Sequence, residues 1–281
     1  MTKEEALQQL EYVLKLRNLS AHTITMYLFF SRRFIDFTQK AEMNDLTLRD
    51  IQDYTMMMIE RGDNPKSINV VICAIRYLYE SVLNKVYTRR QFPNLRYTHQ
   101  DPFVFSKEMI QDLLNTPDCR MRLIILLGVD CGFRAAEVAH LRISDIDSKN
   151  NLITIHQSKR NKTRVVKLSQ ACLDVLRKYW LLYRPADYFF PGKKENRHIA
   201  TATVNDWFNQ YIKKFSFYNK SIHYHSLRHT FATNMLENGC DIFLLKKLLG
   251  HDSLQSTARY IHMQVSDIES AFSLSDVWGL Q

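Results

Sequence analysis

The feature that most restricts how this chain can fold is a break in its helical hydrophobic pattern at residues 88–103 (TRRQFPNLRYTHQDPF). Two prolines interrupt the pattern there, and several arginines precede the first acidic residue, Asp101. Proline fixes its own backbone angle and restricts the residue before it, so such a stretch is typical of a linker between compact units. With 281 residues, the chain is long enough to form two of them. We therefore predict two domains, residues 1–98 and residues 99–281.

Before the break, apolar residues recur at helical spacing in four segments. The first covers residues 3–17, and the second follows Ser20, a residue type that caps helix N-termini. Thr47 opens a third segment that ends at Gly62, and a fourth follows Pro65, because proline is favoured in the first helical turn. The N-terminal region is therefore predicted to be a small bundle of four helices.

The second region combines helices with one pair of strands. Residues 120–129 (RMRLIILLGV) are apolar enough to form a buried helix. The segments LITIH (152–156) and RVVKL (164–168) alternate in polarity, which predicts two strands joined by a polar turn. The remainder of the chain has a helical pattern, except at residues 184–200, where two prolines and a glycine occur.

Basic residues outnumber acidic ones and are concentrated in two places. The chain has 38 Lys and Arg against 29 Asp and Glu, a formal net charge of +9. Residues 156–167 hold five cations and no acid, and residues 207–236 hold four cations and no acid. Such local excesses favour a surface that binds phosphate groups over a merely solvated basic protein.

The five cysteines are scattered and form no C-x-x-C pair. This pattern argues against a disulfide framework and against a cysteine zinc site, and it favours free thiols in a reducing compartment. The first twenty residues lack the pattern of an export signal, and no apolar run approaches the length that crosses a membrane. We expect a soluble, cytoplasmic protein with no membrane partner.

Four segments of the second region hold candidate functional residues, and each is weak evidence when taken alone. GFRAAEVAHL (132–141) has an arginine and a glutamate three residues apart, as many surface ion pairs do. QSKRNKTR (157–164) is a basic turn. HYHSLRH (223–229) places two histidines and an arginine on one helical face, and LLGHDSLQSTARYIH (248–262) has a histidine and, nine residues later, a tyrosine. The candidates are Arg134, Lys159, His225, Arg228, His251 and Tyr260, and the same segments also contain Glu137 and His229.

His225 and His229 also have the i, i+4 spacing of two zinc ligands on a helix. However, no glutamate lies between them, and the sequence offers no evident third ligand. An imidazole beside a guanidinium is better suited to proton transfer next to a bound anion. We therefore expect no metal site here.

In this order and spacing, the four segments resemble the tyrosine recombinase, or phage integrase, family, in particular its Xer-like and transposon- or integron-type members. The shared pattern is G-x-R-x-x-E-x-x-x-L, a basic hairpin lysine, H-x-L-R-H, L-G-H and T-x-x-Y-x-H, and it spans residues 132–262. The four predicted N-terminal helices also resemble the core-binding domain of that family. The resemblance implies a mainly α fold, with a helical, SAM-like core-binding domain (1–98) and a mixed α/β catalytic domain with a small antiparallel sheet (99–281).

Carried over to the matching positions, the resemblance implies a chemistry of DNA strand breakage and rejoining. Tyr260 would be the nucleophile that forms a 3′-phosphotyrosyl bond, and Arg134 and Arg228 would hold the scissile phosphate. Lys159 would protonate the leaving 5′-hydroxyl. Because the turn contains S-K-R where the family often has G-K-G, Lys162 is the alternative donor.

The resemblance also assigns the histidines. His225 would take the proton of the phenol, and His251 would hydrogen-bond the phosphate. Glu137 and His229 are expected to have structural roles. The energy of the broken ester is kept in the phosphotyrosyl bond, so neither a metal ion nor a nucleotide cofactor is implied.

The implied partners are double-stranded DNA recombination sites, a homotetramer on synapsed DNA, and accessory DNA-binding proteins. The apolar C-terminal segment, residues 266–281, would dock in a neighbouring protomer or pack on its own domain. The outcome would be integration or excision of a mobile element, or resolution of dimers. Two alternatives remain open, a strand transferase of the type IB topoisomerase or telomere-resolvase kind, and a non-catalytic DNA-binding regulator.

Overall fold

The computed structural model of the chain describes residues 1–98, 101–156, 163–194, 196–251, 253–258 and 260. The turn that contains Lys159 and Lys162 and the apolar segment 266–281 lie outside the described residues. The chain divides into two compact units, Met1–Gln100 and Asp101–Gln281. Each unit is described by itself.

The first unit contains the predicted helices, α1 (Lys3–Leu16), α2 (Ala21–Thr38), α3 (Leu48–Glu60) and α4 (Pro65–Ser81). Their starts follow from side chains that satisfy free backbone N–H groups. Ser20 Oγ accepts a hydrogen bond from Thr23 N at 3.2 Å, and Asn64 Oδ1 accepts one from Lys66 N at 2.9 Å. The prediction of four N-terminal helices is confirmed.

The core of this unit lies where the helices face one another. Leu10 and Leu14 of α1, Phe34 of α2, and Ile72 and Ile75 of α4 are fully buried. Each such side chain contributes roughly 1.5–3 kcal/mol when it leaves water. Because isolated helices of this length are marginal in water, this packing stabilises the bundle more than helix propensity does.

The second unit is mainly helical. Its helices are α5 (Lys107–Leu114), α6 (Cys119–Val129), α7 (Ala135–Ala139), α8 (Gln170–Tyr183), α9 (Thr201–Ile212), α10 (Tyr224–Glu237), α11 (Ile242–Leu249) and α12 (Gln255–Ala258). The buried helix predicted at residues 120–129 is confirmed as α6. Within the described part of the chain, we find no helix with both the length and the apolar character of a membrane span.

Three strands, β1 (Ile146–Asp147), β2 (Leu152–His156) and β3 (Thr163–Lys167), form an antiparallel sheet in that order. The predicted strand pair and the predicted fold class are confirmed. Strand β1 was not predicted, because two residues are too few to show an alternating pattern. In β2, Ile153 and Ile155 are buried, and they pair in register with Val166 and Arg164 of β3, which are also buried.

Helix α10 packs closely against α6 and against the loop that follows α6. A Cβ at Gly128 would lie 2.7 Å from the Cβ of Leu227. A Cβ at Gly132, which has a φ of +64°, would lie 2.6 Å from the ring of Phe231. Any larger residue at these positions would push α10 away. This close approach brings the segment that carries Arg134 to the middle of α10.

Candidate active site

Arg228 is a fully buried guanidinium at the centre of the site, with 0% relative exposure. It lies on α10, and its Nη1 donates a hydrogen bond to the carbonyl oxygen of Gly132 at 2.5 Å. Its Nη2 donates to the carbonyl oxygen of Leu249, at the end of α11. Among the described residues, its Nε has no hydrogen-bond partner. A buried donor left unpaired is costly, so this guanidinium is well prepared to bind an oxygen of an anion.

Glu137, in α7, holds three guanidinium groups together. Arg164 of β3 donates to both carboxylate oxygens at 2.7 Å. Arg134 donates through Nη1 at 2.9 Å, and Nη1 of Arg228 lies 3.7 Å from Oε2. The Glu137 side chain is only 6% exposed. The Arg134–Glu137 pair is therefore not the surface ion pair that its spacing alone suggests.

These contacts shift the pKa values of two groups in the cluster. Burial alone would raise the pKa of Glu137, but the hydrogen bonds and charge of Arg164, with the charge of Arg228, lower it to about 2. Burial and the charge of Arg134 lower the pKa of Arg228 to about 9, against the opposing effect of Glu137. Both groups are therefore charged at neutral pH. Three guanidinium groups and one carboxylate leave a surplus of two positive charges, which suits a phosphate group.

We expect Glu137→Gln to lower the free energy of unfolding by about 3–5 kcal/mol at neutral pH, because it leaves buried guanidinium groups uncompensated. The pKa of Glu137 lies at about 2 in the folded protein against 4.5 ordinarily. The stability that it contributes is thus present above about pH 4.5 and lost as the pH falls towards 2. Urea unfolding at pH 7 and at about pH 3 measures this.

The loss in free energy of unfolding caused by Glu137→Gln should be smaller at about pH 3 than at pH 7. Glu11→Gln is the control, because Glu11 forms an exposed ion pair with Lys15 and its side chain is 41% exposed. A surface pair of this kind contributes about 0.3–0.5 kcal/mol. A deficit for Glu137→Gln no larger than that of the control would contradict the buried cluster.

Two histidines and Tyr260 meet on one face of α10. His229 Nδ1 lies 2.7 Å from the hydroxyl oxygen of Tyr260, and a hydrogen bond joins them. The rings of His225 and His229 stand edge to face with centroids 4.6 Å apart. Burial, followed by the charges of His229 and Arg228, lowers the pKa of His225 to about 3. The sequence pattern correctly placed both histidines on one face, but it did not indicate which of them meets the tyrosine.

His251 secures the segment that leads to Tyr260. It follows Gly250, which ends α11 in the left-handed conformation with a φ of +62°. Its Nδ1 lies 2.9 Å from Oγ1 of Thr257, in α12. Since the carbonyl of Leu249 accepts a hydrogen bond from Arg228, the end of α11 contacts both the guanidinium and the tyrosine segment.

The structure therefore brings together Arg134, His225, Arg228 and Tyr260, and it places His251 in the segment that leads to Tyr260. Lys159, predicted as the proton donor, and its alternative Lys162 lie outside the described residues.

The sequence interpretation missed Arg164 as a partner of Glu137. A signal was available, because strand alternation places Arg164 on the same buried face as Val166. The contact of His229 with Tyr260 had no such signal.

One group of possible metal ligands occurs in the described part of the chain. Asp130, Cys131 and Cys172 have ligand atoms within 4.8 Å of one another. A hydrogen bond with Cys172 and burial raise the pKa of the Cys131 thiol, which disfavours the thiolate that a metal requires. Within those same residues, no third ligand joins His225 and His229 in such a group.

Comparison with known proteins gives a consistent assignment over nearly the whole chain. A sequence model of the phage integrase family matches residues 104–266, and one of the phage integrase N-terminal SAM-like domain matches residues 6–89. Tyrosine recombinase XerA of Pyrococcus furiosus is 29% identical over 278 residues, which are 96% of this chain and 93% of that protein.

Two solved structures share the fold. The Tn1549 transposon integrase in complex with transposon right end DNA has a TM-score of 0.76 at 15% identity, and covers 96% of this chain and 98% of its own. A lambda integrase dimer bound to a COC′ core site has a TM-score of 0.76 at 18% identity, and covers 97% and 98%. At these identities, the likeness concerns the fold alone. Because the family model covers more than half of the chain, this protein belongs to the phage integrase family, the tyrosine recombinases that cleave and rejoin DNA.

Proposed function

We propose that this protein is a site-specific recombinase in which Tyr260 attacks a DNA phosphodiester and forms a covalent 3′-phosphotyrosyl bond. The observation that carries this proposal is the position of the Tyr260 hydroxyl. It is hydrogen-bonded to His229, which directly follows the buried Arg228 in α10. The candidate nucleophile thus contacts the residue that follows Arg228, and it also interacts electrostatically with the Arg228 guanidinium.

The arginines have the chemistry that the reaction requires. A phosphodiester that passes through a five-coordinate state gathers negative charge on its non-bridging oxygens. Planar guanidinium groups bind such oxygens bidentately, which the point charge of a lysine cannot do. Arg228, with its unpaired Nε, and Arg134, whose side chain is 34% exposed, are the groups that we assign to this role.

The remaining roles follow the family pattern. A lysine of the hairpin turn, Lys159 or its alternative Lys162, would protonate the leaving 5′-oxygen. His251 would hydrogen-bond the phosphate. The resemblance gives His225 the task of taking the phenol proton. Phosphotyrosyl formation conserves the ester energy, so a 5′-hydroxyl of another strand can reverse the attack without a nucleotide.

The partners follow from the reaction. The two solved structures of similar fold are bound to transposon right end DNA and to a COC′ core site, and we propose double-stranded recombination sites as the substrate of this chain. Exchange of strands between two duplexes needs four cleavage events, so we propose that four protomers act together. Residues 266–281 are the segment that we propose to link one protomer to the next. We assign core-site binding to residues 1–98 and catalysis to residues 99–281. Five free cysteines support the proposal of a cytoplasmic protein.

The test uses a suicide DNA substrate with a nick beside the cleavage position. We expect a protein–DNA adduct that survives denaturation, and recombinant joints when two intact site-bearing duplexes are supplied. Both products should form in excess EDTA and without nucleotide. Adducts without joints would favour the topoisomerase or telomere-resolvase alternative. If neither product forms while DNA is still bound, the chain acts as a DNA-binding regulator.

A further inference from the structure

The surroundings of the Tyr260 hydroxyl differ from those implied by the family pattern. Tyr260 is 4% exposed and packs with Phe231, Leu245 and Leu249 in a small apolar cluster. Its hydroxyl is directed at Nδ1 of His229, 2.7 Å away. His229 is itself buried. A distance of 2.7 Å lies within the reach over which a general base takes a proton.

His225, the base implied by the resemblance, is a neighbour of His229 on the same helical face. It lies one helical turn before His229, and its ring contacts His229 edge to face. Burial and the neighbouring charges lower the pKa of His225 to about 3, so this imidazole has little affinity for a proton at neutral pH. The choice between the two imidazoles therefore rests on the hydrogen bond between His229 and Tyr260.

We propose that His229 is a further catalytic residue, whose Nδ1 accepts the proton of Tyr260 as the phenol oxygen attacks the phosphate. The inference rests on the proposed function. The O–H bond of Tyr260 breaks and its proton moves to Nδ1, while the O–P bond forms. The P–O5′ bond then breaks, and the 5′-oxygen takes a proton from the hairpin lysine. On rejoining, the imidazolium returns its proton to Tyr260.

The charges around His229 link this step to DNA binding. His225 and Arg228 lie on the same helix, and Arg134, Glu137 and Arg164 approach Arg228 from α7 and β3. The three arginines and Glu137 together carry a surplus of positive charge. A bound phosphate supplies the opposite charge.

The experiment replaces His229 with asparagine. The Asn side chain can still hydrogen-bond near the Nδ1 position, but it cannot take up a proton. We expect the single-turnover rate on the suicide substrate to fall about 10²–10⁴-fold, with DNA binding within about twofold. His225→Asn should cause a smaller loss, and His223→Asn, at an exposed position in the same motif, should leave the rate unchanged.

A second measurement separates a base from a merely structural residue. A ring-fluorinated tyrosine at position 260 has a more acidic phenol, which depends less on a base. With this tyrosine, the ratio of the parent's single-turnover rate to that of His229→Asn should be at least tenfold smaller. An unchanged ratio, or a rate for His229→Asn within threefold of the parent, overturns the proposal.

Folding is checked by thermal unfolding, with His229→Gln as the second variant. If both variants unfold, the pH dependence of the parent protein decides. Its single-turnover rate should fall as the pH is lowered and the base takes up a proton, and a rate that stays flat from about pH 8 to about pH 4 overturns the proposal. Failure of the proposed function is distinct, because the parent protein itself would then form no adduct.

Discussion

Tyr260→Phe is expected to abolish the covalent protein–DNA adduct while leaving binding to a single site within about twofold. The substitution removes only the attacking oxygen, and the ring that packs in the apolar cluster is kept. Denaturing electrophoresis of the protein with a labelled suicide substrate measures the adduct. Because no other side chain can replace the lost oxygen in this position, the expected loss is complete within detection.

A matched control is needed because the chain contains 14 tyrosines. Tyr183→Phe serves this purpose, since Tyr183 lies at the end of α8 with 54% exposure. It should form the adduct at the parent rate. Tyr260→Phe also leaves His229 without one hydrogen-bond partner, a cost of about 1–3 kcal/mol, so thermal unfolding is measured alongside. Adduct formation by folded Tyr260→Phe would mean that another residue is the nucleophile.

The elements that the sequence predicted correctly are those specified by local chemistry. Ser20 and Asn64 cap helices through their own side chains, and Pro65 favours the first turn of α4. Burial of α6 follows from its nearly continuous apolar composition. Such signals lie within a few residues of the structure they determine, so they can be interpreted without knowledge of the fold.

The features that escaped prediction depend on contacts between distant segments. Arg164 meets Glu137 across 27 positions of sequence, and His229 meets Tyr260 across 31. No local pattern distinguishes His225 from His229 as the neighbour of the tyrosine, because both lie on the same helical face. Which histidine meets Tyr260 depends on the turn from α11 to α12, where His251 contacts Thr257 and sets the position of Tyr260.

Arg228→Lys is also expected to have a large effect on the cleavage rate. Cleavage of the suicide substrate is expected to fall about 10²–10³-fold, the usual cost of removing a donor to the developing charge. Lysine keeps the positive charge but has no planar fork, so it cannot bind two phosphate oxygens side by side. DNA affinity should change far less than the rate, because many other phosphate contacts contribute to binding.

The structure gives a second reason for this loss. The guanidinium of Arg228 donates to the carbonyls of Gly132 and Leu249, so it joins the loop before α7 to the end of α11. An ammonium group has three donors on one atom, so if it made both bonds it would have at most one left for phosphate. Arg177→Lys is the matched control, since Arg177 is 56% exposed in α8 and pairs only loosely with Asp174, at 3.7 Å. It should retain the parent rate. If Arg228→Lys folds and cleaves at a rate near that of the control, charge alone suffices at this position, and the bidentate role assigned to Arg228 is wrong.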